Sequence, residues 1–431
     1  MGTYLTPAEI NASLEGLSHM MKQYAELIVR KGVALGRGQE LVVVAPVERA
    51  DFARLIARCA YEGGSGHVTV IWSDDQLDWL EYTYNDRSYF KNVPAWKREQ
   101  LNGLADAGAA FVFLEGNDPD ALADIDPQKV VARRRAQNEQ CSTYYRGLDF
   151  GNNAWCIAGV PVESWACKVF EDCSPQEALL HLWQAILSVA RSDGDDPQAE
   201  WERHNATFEK NKRILNEYAF DALRYHSTNG TDFELGLCGN HIWQGGASRT
   251  VDGKVFFANI PTEEVFTAPD RMRAEGVVHA SRPLVYNGKI VRDFWLRFED
   301  GKVVDFDARE GAEVLDSIVR ADKTSCRLGE CALVSQDTPV RQSGLLFYNT
   351  LYDENASCHL ALGTGFPECV VDGFNMDDDT LKGHGVNRSS MHVDFMVGAD
   401  DLSITGITST GEEIPVFVDG RWAWNSTMHY T

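Results

Sequence analysis

Residues 40–47 read ELVVVAPV, a continuous apolar run of strand length without alternation between apolar and polar positions. Three further runs of this kind follow it, at 67–72 (HVTVIW), 109–114 (AAFVFL) and 154–160 (AWCIAGV). Segments of helix length separate them, at 49–62, 94–107 and 127–140. Unbroken apolar strands that alternate with helices are typical of a parallel sheet with helices on both faces. We therefore predict an α/β fold for this part of the chain.

The pattern changes in the second half of the chain. From Thr231 onward the apolar runs are short and alternate with polar residues, and glycines are frequent. Turn pairs such as Asn287-Gly288 and Asp300-Gly301 lie between the runs, and the second pair predicts a hairpin. We predict an N-terminal α/β domain at 1–205 with a mostly parallel sheet, and a mixed α+β domain at 206–431 that carries the functional site.

The bulk composition excludes some partners. The chain has 431 residues, a formal net charge of -24 and a pI near 4.8. Such an acidic surface repels nucleic acid and anionic lipid, and no apolar run is long enough to cross a membrane, so we expect neither partner. The ten cysteines form no C-x-x-C pair. Because the first residues show no signal-peptide pattern either, we expect a cytoplasmic protein.

Two histidines stand near carboxylates. In MHVDFMV (391–397), His392 and Asp394 are two residues apart, and the period of a strand puts both on one face. An imidazole beside a carboxylate is a suitable ligand pair for zinc, cobalt, manganese or iron. Glu354 and His359 are five residues apart, which on a helix is roughly 140°. The sequence leaves open whether these two face the same site.

Two other segments place glutamates among apolar residues. PTEEVF (261–266) contains Glu263 and Glu264, and LGECALV (328–334) contains Glu330 at the head of an apolar run. A buried carboxylate needs a partner or a metal ion, whereas a surface glutamate caps a helix or pairs with an arginine. Both interpretations are open for each of these residues taken alone.

Five segments together resemble the thermophilic aminopeptidases of the aminopeptidase T and aminopeptidase S type. They occur in the order of that family and near its spacing: NIPTEEVFTAPD (259–270), EGVVHASRPL (275–284), LGECALV (328–334), FYNTLYDENASCHLALG (347–363) and NRSSMHVDFMVG (387–398). The resemblance implies an aminopeptidase that acts on peptides as a homodimer. It also implies two divalent metal ions in each chain, which would be zinc, cobalt or manganese.

The resemblance also implies roles for individual residues. By motif position the metal ligands are Glu264, Glu330, His359, His392 and Asp394. Glu354 stands where the family has a further glutamate of the active site, and we assign it as the general base. Two alternatives stay open: Glu263 could be the ligand in place of Glu264, and Glu354 could contact a metal ion.

One position departs from the family. The family has a tyrosine seven residues after the site histidine, and this chain has Phe366 there. A phenylalanine cannot donate a hydrogen bond to a developing oxyanion, and loss of one such donor costs on the order of 10²–10³ in rate. The chain is therefore either a slow peptidase, an enzyme with another donor or substrate, or a binding protein without activity.

Other metal chemistry on the same fold is the main alternative function. An iron(II) ring-cleaving dioxygenase needs two histidines and one carboxylate, which His359, His392 and Asp394 would supply. A hydrolase of non-peptide amides is a further alternative. The presence of both Glu264 and Glu330 favours hydrolysis, because a single-iron site does not need them.

Overall fold

The computed structural model describes residues 7–286 and 289–425. The predicted turn at Asn287-Gly288 lies outside these residues. The chain divides into two compact units, each made of two segments: Met1–Arg203 with Ala247–Pro261, and His204–Gly246 with Thr262–Thr431. No helix in the described ranges is long and apolar enough to cross a membrane.

The first unit is built on a five-stranded parallel sheet. Its strands are β1 (Leu41–Pro46), β2 (Val68–Ser73), β3 (Ala110–Glu115), β4 (Trp155–Gly159) and an unlabelled two-residue strand, Asn259–Ile260. The order is Asn259–Ile260, β4, β3, β1 and β2, and all four pairings are parallel. The strands β1 and β3 are almost fully buried, which explains their unbroken apolar sequences.

Helices connect these strands, as the sequence predicts. In chain order they are α1 (Pro7–Gly16), α2 (Ser18–Leu27), α3 (Ala50–Glu62), α4 (Asp75–Tyr84), α5 (Ala95–Asp106), α6 (Pro127–Gln140), α7 (Ser142–Asp149), α8 (Glu163–Val169), α9 (Pro175–Val189) and α10 (Pro197–Tyr218). The predicted helices at 49–62, 94–107 and 127–140 correspond to α3, α5 and α6, whereas the sequence did not predict α4, α7 or α8. The helix α10 contains the boundary between the units, because Arg203 belongs to the first unit and His204 to the second.

The second unit contains two antiparallel sheets. Its strands are β5 (Ala222–His226), β6 (Asp232–Leu237), β7 (Gln244–Gly245), β8 (Val265–Thr267), β9 (Pro269–His279), β10 (Leu284–Tyr286), β11 (Lys289–Glu299), β12 (Lys302–Glu310), β13 (Leu328–Leu333), β14 (His359–Gly363), β15 (His392–Met396), β16 (Ser403–Ile407), β17 (Glu413–Val418) and β18 (Arg421–Trp422). Four short helices join them: α11 (Ala312–Val319), α12 (Pro339–Gln342), α13 (Thr350–Glu354) and α14 (Asp378–Gly383).

The larger sheet has the order β10-β11-β9-β6-β5-β16-β17-β18, with β12 paired to β11. The pairing of β11 with β12 is the hairpin predicted across Asp300-Gly301. The smaller sheet has the order β15-β14-β13-β8-β7, and we call it the site sheet. A mostly parallel α/β unit followed by a mixed α+β unit is the predicted fold class, which the structure confirms.

Candidate metal centre

The two faces of the site sheet differ in chemistry. Side chains alternate between the faces of a strand, and one set packs into the hydrophobic core of the second unit. This set consists of Val265, Cys331, Leu333, Leu360, Leu362, Val393 and Phe395. The alternate residues Glu330, His359, His392 and Asp394 belong to the opposite face, and Glu264 joins them because it directly precedes Val265, the first residue of β8. Strand periodicity therefore brings all five predicted ligands to one face.

The register of three neighbouring strands places the carboxylates close together. Ala361 of β14 pairs with Glu330 of β13 on one side and with Asp394 of β15 on the other. His359 pairs with Ala332, one step further along the same face. Because the side chain of Ala361 is only a methyl group, the carboxylates of Glu330 and Asp394 on either side of it can approach each other on this face of the sheet.

A β-bulge at Gly329 sets the direction of Glu330. The pairing shifts between Leu328, which lies opposite Leu362, and Glu330, which lies opposite Ala361. In a regular strand Leu328 and Glu330 would share a face, but the extra residue puts Leu328 in the core and Glu330 on the site face. Glycine is required at the bulge, since a Cβ there would collide with the carbonyl oxygen of Thr364.

The five side chains form two groups that share one residue. The ligand atoms of Glu264, Glu330 and His359 lie within 4.8 Å of one another, and so do those of Glu330, His392 and Asp394. The Nε2 atom of His359 is 3.0 Å from Oε2 of Glu264. The Nε2 atom of His392 is 3.1 Å from Oε2 of Glu330 and 3.1 Å from Oδ1 of Asp394. Glu330 is thus a member of both groups.

Both histidines are oriented by backbone carbonyls. The Nδ1–H of His359 donates to the carbonyl oxygen of Ser357 at 3.1 Å, and the Nδ1–H of His392 donates to that of Thr364 at 2.8 Å. Each bond fixes the ring and leaves Nε2 facing the carboxylates. This is the arrangement that metal-binding histidines use, because the second nitrogen is then available as a ligand.

Burial makes these charges strongly interdependent. Burial opposes protonation of His359, but the hydrogen bond and charge of Glu264 outweigh it and raise the pKa to about 10. The pKa of His392 is also well above its usual value, because Asp394 and Glu330 overcome the effect of burial. Burial raises the pKa of Glu330, although its hydrogen bond with His392 acts in the opposite direction. The cluster therefore has a strong affinity for positive charge.

Glu354 joins the same cluster from a helix. It is the last residue of α13, and the chain enters β14 at His359 after four more residues. Burial raises the pKa of Glu354 well above its usual value, and the negative charges of Asp394 and Glu264 raise it further. The five-residue spacing that was ambiguous in the sequence thus spans a helix end and a strand start, and it brings Glu354 to the site.

Glu263 faces a different partner from Glu264. Its carboxylate lies 3.6 Å from Nε2 of His204, whose Nε2–H donates to the carbonyl oxygen of Thr262 at 2.8 Å. Adjacent residues of an extended segment point in opposite directions, and it is Glu264 that meets His359. The sequence did not single out His204, since its two partners, Thr262 and Glu263, lie 58 and 59 residues further along the chain.

Phe366 lies beside the cluster. Its ring centroid is 4.9 Å from that of His392 and 6.0 Å from that of Phe266. The side chain is 36% exposed. The residue that departs from the family pattern is therefore a neighbour of a predicted ligand, at the exposed rim of the site.

The donor set fits divalent metal ions. Three carboxylates and two imidazoles are the oxygen and nitrogen ligands that zinc, cobalt and manganese accept. Glu264, Glu330 and His359 are all buried, so their charges are largely withdrawn from water. A buried carboxylate needs a counter-charge, and cations held by the two groups would supply it.

Comparisons with known proteins agree with this chemistry. A family described as thermophilic metalloprotease (M29) matches residues 17–422. Aminopeptidase 2 of Geobacillus stearothermophilus is 40% identical over 404 residues, which are 94% of this chain and 98% of that protein. The solved structure of wild-type AmpT from Thermus thermophilus has a TM-score of 0.88 and 36% identity, and it covers 94% of this chain and 100% of that chain.

A more distant structure shares only the fold. The 2,5-dihydroxypyridine dioxygenase from Pseudomonas putida KT2440 has a TM-score of 0.50 and 11% identity, over 97% of this chain and 98% of that chain. At this level of identity the likeness carries no information about the reaction.

Proposed function

The chain belongs to the M29 family of thermophilic metalloproteases, as its five motifs indicated, and from this premise we propose that it is a metal-dependent aminopeptidase. Its substrates are peptides, from which it removes the N-terminal residue. The observation that supports a two-metal site is the pair of ligand groups that share Glu330. A carboxylate common to two groups is what a pair of adjacent cations requires.

Each group would hold one ion in this proposal. Glu264 and His359 would hold the first ion, His392 and Asp394 the second, and Glu330 would serve both, as the member that the two groups share. The histidines would offer Nε2, because their Nδ1 atoms donate to backbone carbonyls. Zinc, cobalt and manganese all suit this ligand set.

Glu354 is the proposed general base. Divalent ions bound here would lower the pKa of a water and polarise the scissile carbonyl. Glu354 takes a proton from the attacking water and delivers it to the leaving amine, which is a role suited to a carboxyl group whose pKa is raised. Its position at a helix end, outside the strand-borne ligand set, supports a role distinct from the five ligands.

Phe366 is expected to limit the rate. The ring stands against His392 but has no hydroxyl to stabilise a developing oxyanion. We therefore propose a peptidase slower than relatives that have a tyrosine at this position, rather than a protein without activity.

Reconstitution with single metals tests the proposed function. The protein is stripped with a chelator, reloaded with zinc, cobalt or manganese, and assayed with leucyl and other aminoacyl anilides. We expect turnover and two bound ions per chain by elemental analysis. Absence of turnover with every metal would refute the peptidase proposal. One iron per chain, together with oxygen consumption in the presence of a dihydroxypyridine, would support the dioxygenase alternative instead.

We also propose that the protein is a homodimer in the cytoplasm. Light scattering tests the dimer.

A further inference from the structure

Asn355 is fully buried and uses both ends of its side chain. Its Oδ1 accepts a hydrogen bond from the backbone N–H of Glu263 at 2.6 Å, and its Nδ2 donates to the carbonyl oxygen of Leu351 at 2.7 Å. Its relative exposure is 0%. The hydroxyl of Thr338 donates to the backbone carbonyl oxygen of Asn355 at 3.4 Å. The side chain is therefore a fixed link and not a mobile surface group.

The two ends of this link lead to two different parts of the site. Glu263 directly precedes Glu264, the proposed ligand that is 3.0 Å from His359. Leu351 lies in α13, whose last residue is Glu354. Glu263 and Asn355 are 92 residues apart in the chain. One amide side chain thus connects the segment that carries a ligand to the helix that carries the proposed base.

The helix depends on such contacts for its position. With five residues, α13 is too short to be stable by itself. On the other side of Glu354, the buried carboxylate of Asp353 accepts hydrogen bonds from the backbone N–H groups of Phe347 at 2.8 Å and Asn349 at 3.1 Å. The neighbours of Glu354 on both sides therefore hold the helix, and the side chain of Asn355 also ties it to the segment that carries Glu264.

We propose that Asn355 is a positioning residue that fixes Glu354 relative to Glu264. The inference rests on the proposed function, because it gives those two residues the roles of base and ligand. An amide suits this place because it provides an acceptor and a donor without adding charge. Removing it would leave the Glu263 N–H and the Leu351 carbonyl without this partner in a buried region.

Three variants test the proposal. Asn355→Leu keeps the approximate size and removes both hydrogen bonds. Asn355→Asp is the conservative variant, which keeps an oxygen acceptor for the Glu263 N–H. Asn153→Leu is the matched control, because Asn153 is 2% exposed and donates through Nδ2 to the carbonyl oxygens of Ala105 and Ala109. It belongs to the first unit, which contributes none of the six site residues.

The readouts are zinc affinity of the stripped protein by titration calorimetry, thermal stability, and kcat and KM at saturating zinc. We expect Asn355→Leu to weaken zinc binding and lower kcat by about 10–100-fold, the usual cost of losing a residue that orients a ligand, with little change in KM. Asn355→Asp should recover only part of this loss, because it keeps the acceptor for the Glu263 N–H but removes the Nδ2 donor to the Leu351 carbonyl and adds a charge. Asn153→Leu should lower the unfolding temperature with unchanged zinc affinity and kcat.

A purely structural role predicts a different result. If Asn355→Leu only lowers the unfolding temperature, as the control does, and keeps the wild-type zinc affinity and kcat, the positioning proposal is wrong. The calorimetric arm needs no turnover. A wild-type protein without peptidase activity, combined with weaker zinc binding by Asn355→Leu, would therefore reject the proposed function and still support the link from Asn355 to the ligand segment.

Discussion

Each unit contains a deeply buried glutamate, and the two are stabilised in opposite ways. Glu177 of the first unit and Glu330 of the second are both 4% exposed. Glu177 lies in the first turn of α9, where the backbone N–H and the hydroxyl of Ser174 donate to its carboxylate at 3.2 and 2.8 Å. Glu330 instead lies among Glu264, Asp394 and His392.

The difference shows how a buried charge reveals its role. In the capping box, the carboxylate of Glu177 accepts hydrogen bonds from the neutral donors of Ser174, three residues earlier in the chain. Buried carboxylates that lie close together repel one another, and this repulsion destabilises the charged forms unless protons or cations are added. The first arrangement stabilises a helix, and the second binds positive charge.

Replacing Glu330 should have the largest effect. Glu330→Gln removes the charge that both groups share, and we expect the loss of both ions and a fall in activity of at least about 10⁴-fold, the upper end of what a lost general base costs. Elemental analysis and anilide hydrolysis measure the two effects. Glu177→Gln is the matched control at equal burial, and it should retain both ions and full activity. Equal losses in the two variants would contradict the comparison.

Replacing Glu354 should separate the base from the ligands. Glu354→Gln is expected to lower kcat by about 10²–10⁴-fold, because the proton acceptor is lost, while two ions per chain remain. Glu263→Gln should also retain two ions, since the carboxylate of Glu263 lies 3.6 Å from Nε2 of His204 and Glu263 belongs to neither ligand group. Loss of one ion in Glu354→Gln would instead make Glu354 a ligand.

Replacing Phe366 should have a smaller effect of opposite sign. Phe366→Tyr adds a hydroxyl at the rim of the site, next to His392. We expect kcat to rise by up to about 10²-fold, the lower end of the value of one oxyanion donor, with unchanged metal content. Phe366→Leu serves as the control for altered packing. An unchanged kcat in the tyrosine variant would show that this position no longer contributes to catalysis.

The pH dependence of stability should show the smallest effect. Burial opposes protonation of His359, but the hydrogen bond and charge of Glu264 raise its pKa from 6.5 to about 10. A raised pKa gives stabilisation that is complete below pH 6.5 and is lost as the pH rises through 10. We expect the unfolding temperature of the stripped protein to fall over this window, and that of the zinc-loaded protein to fall less, because metal replaces the proton. Parallel curves in calorimetry would refute this.

Several features of the fold follow from local sequence. The apolar runs at 40–47 and 109–114 predict the central strands of the parallel sheet, because strands buried on both faces are nearly continuously apolar. The spacing of His392 and Asp394 fixes their common face because strand periodicity is local. The five motifs indicate the family, and the resemblance implies a candidate ligand set.

Only the tertiary structure decides how these residues meet. Glu330 reaches the site because a bulge at Gly329 shifts the register of β13 against β14, and no periodicity within one strand contains that information. Glu264 and not Glu263 meets His359 because β8 pairs with β13 in one register. Asn355 acquires its place from a partner 92 residues away. The residue type at each position and the face of a strand on which it lies follow from nearby sequence. The distances between those positions depend on pairings between remote segments, which form only when the chain folds.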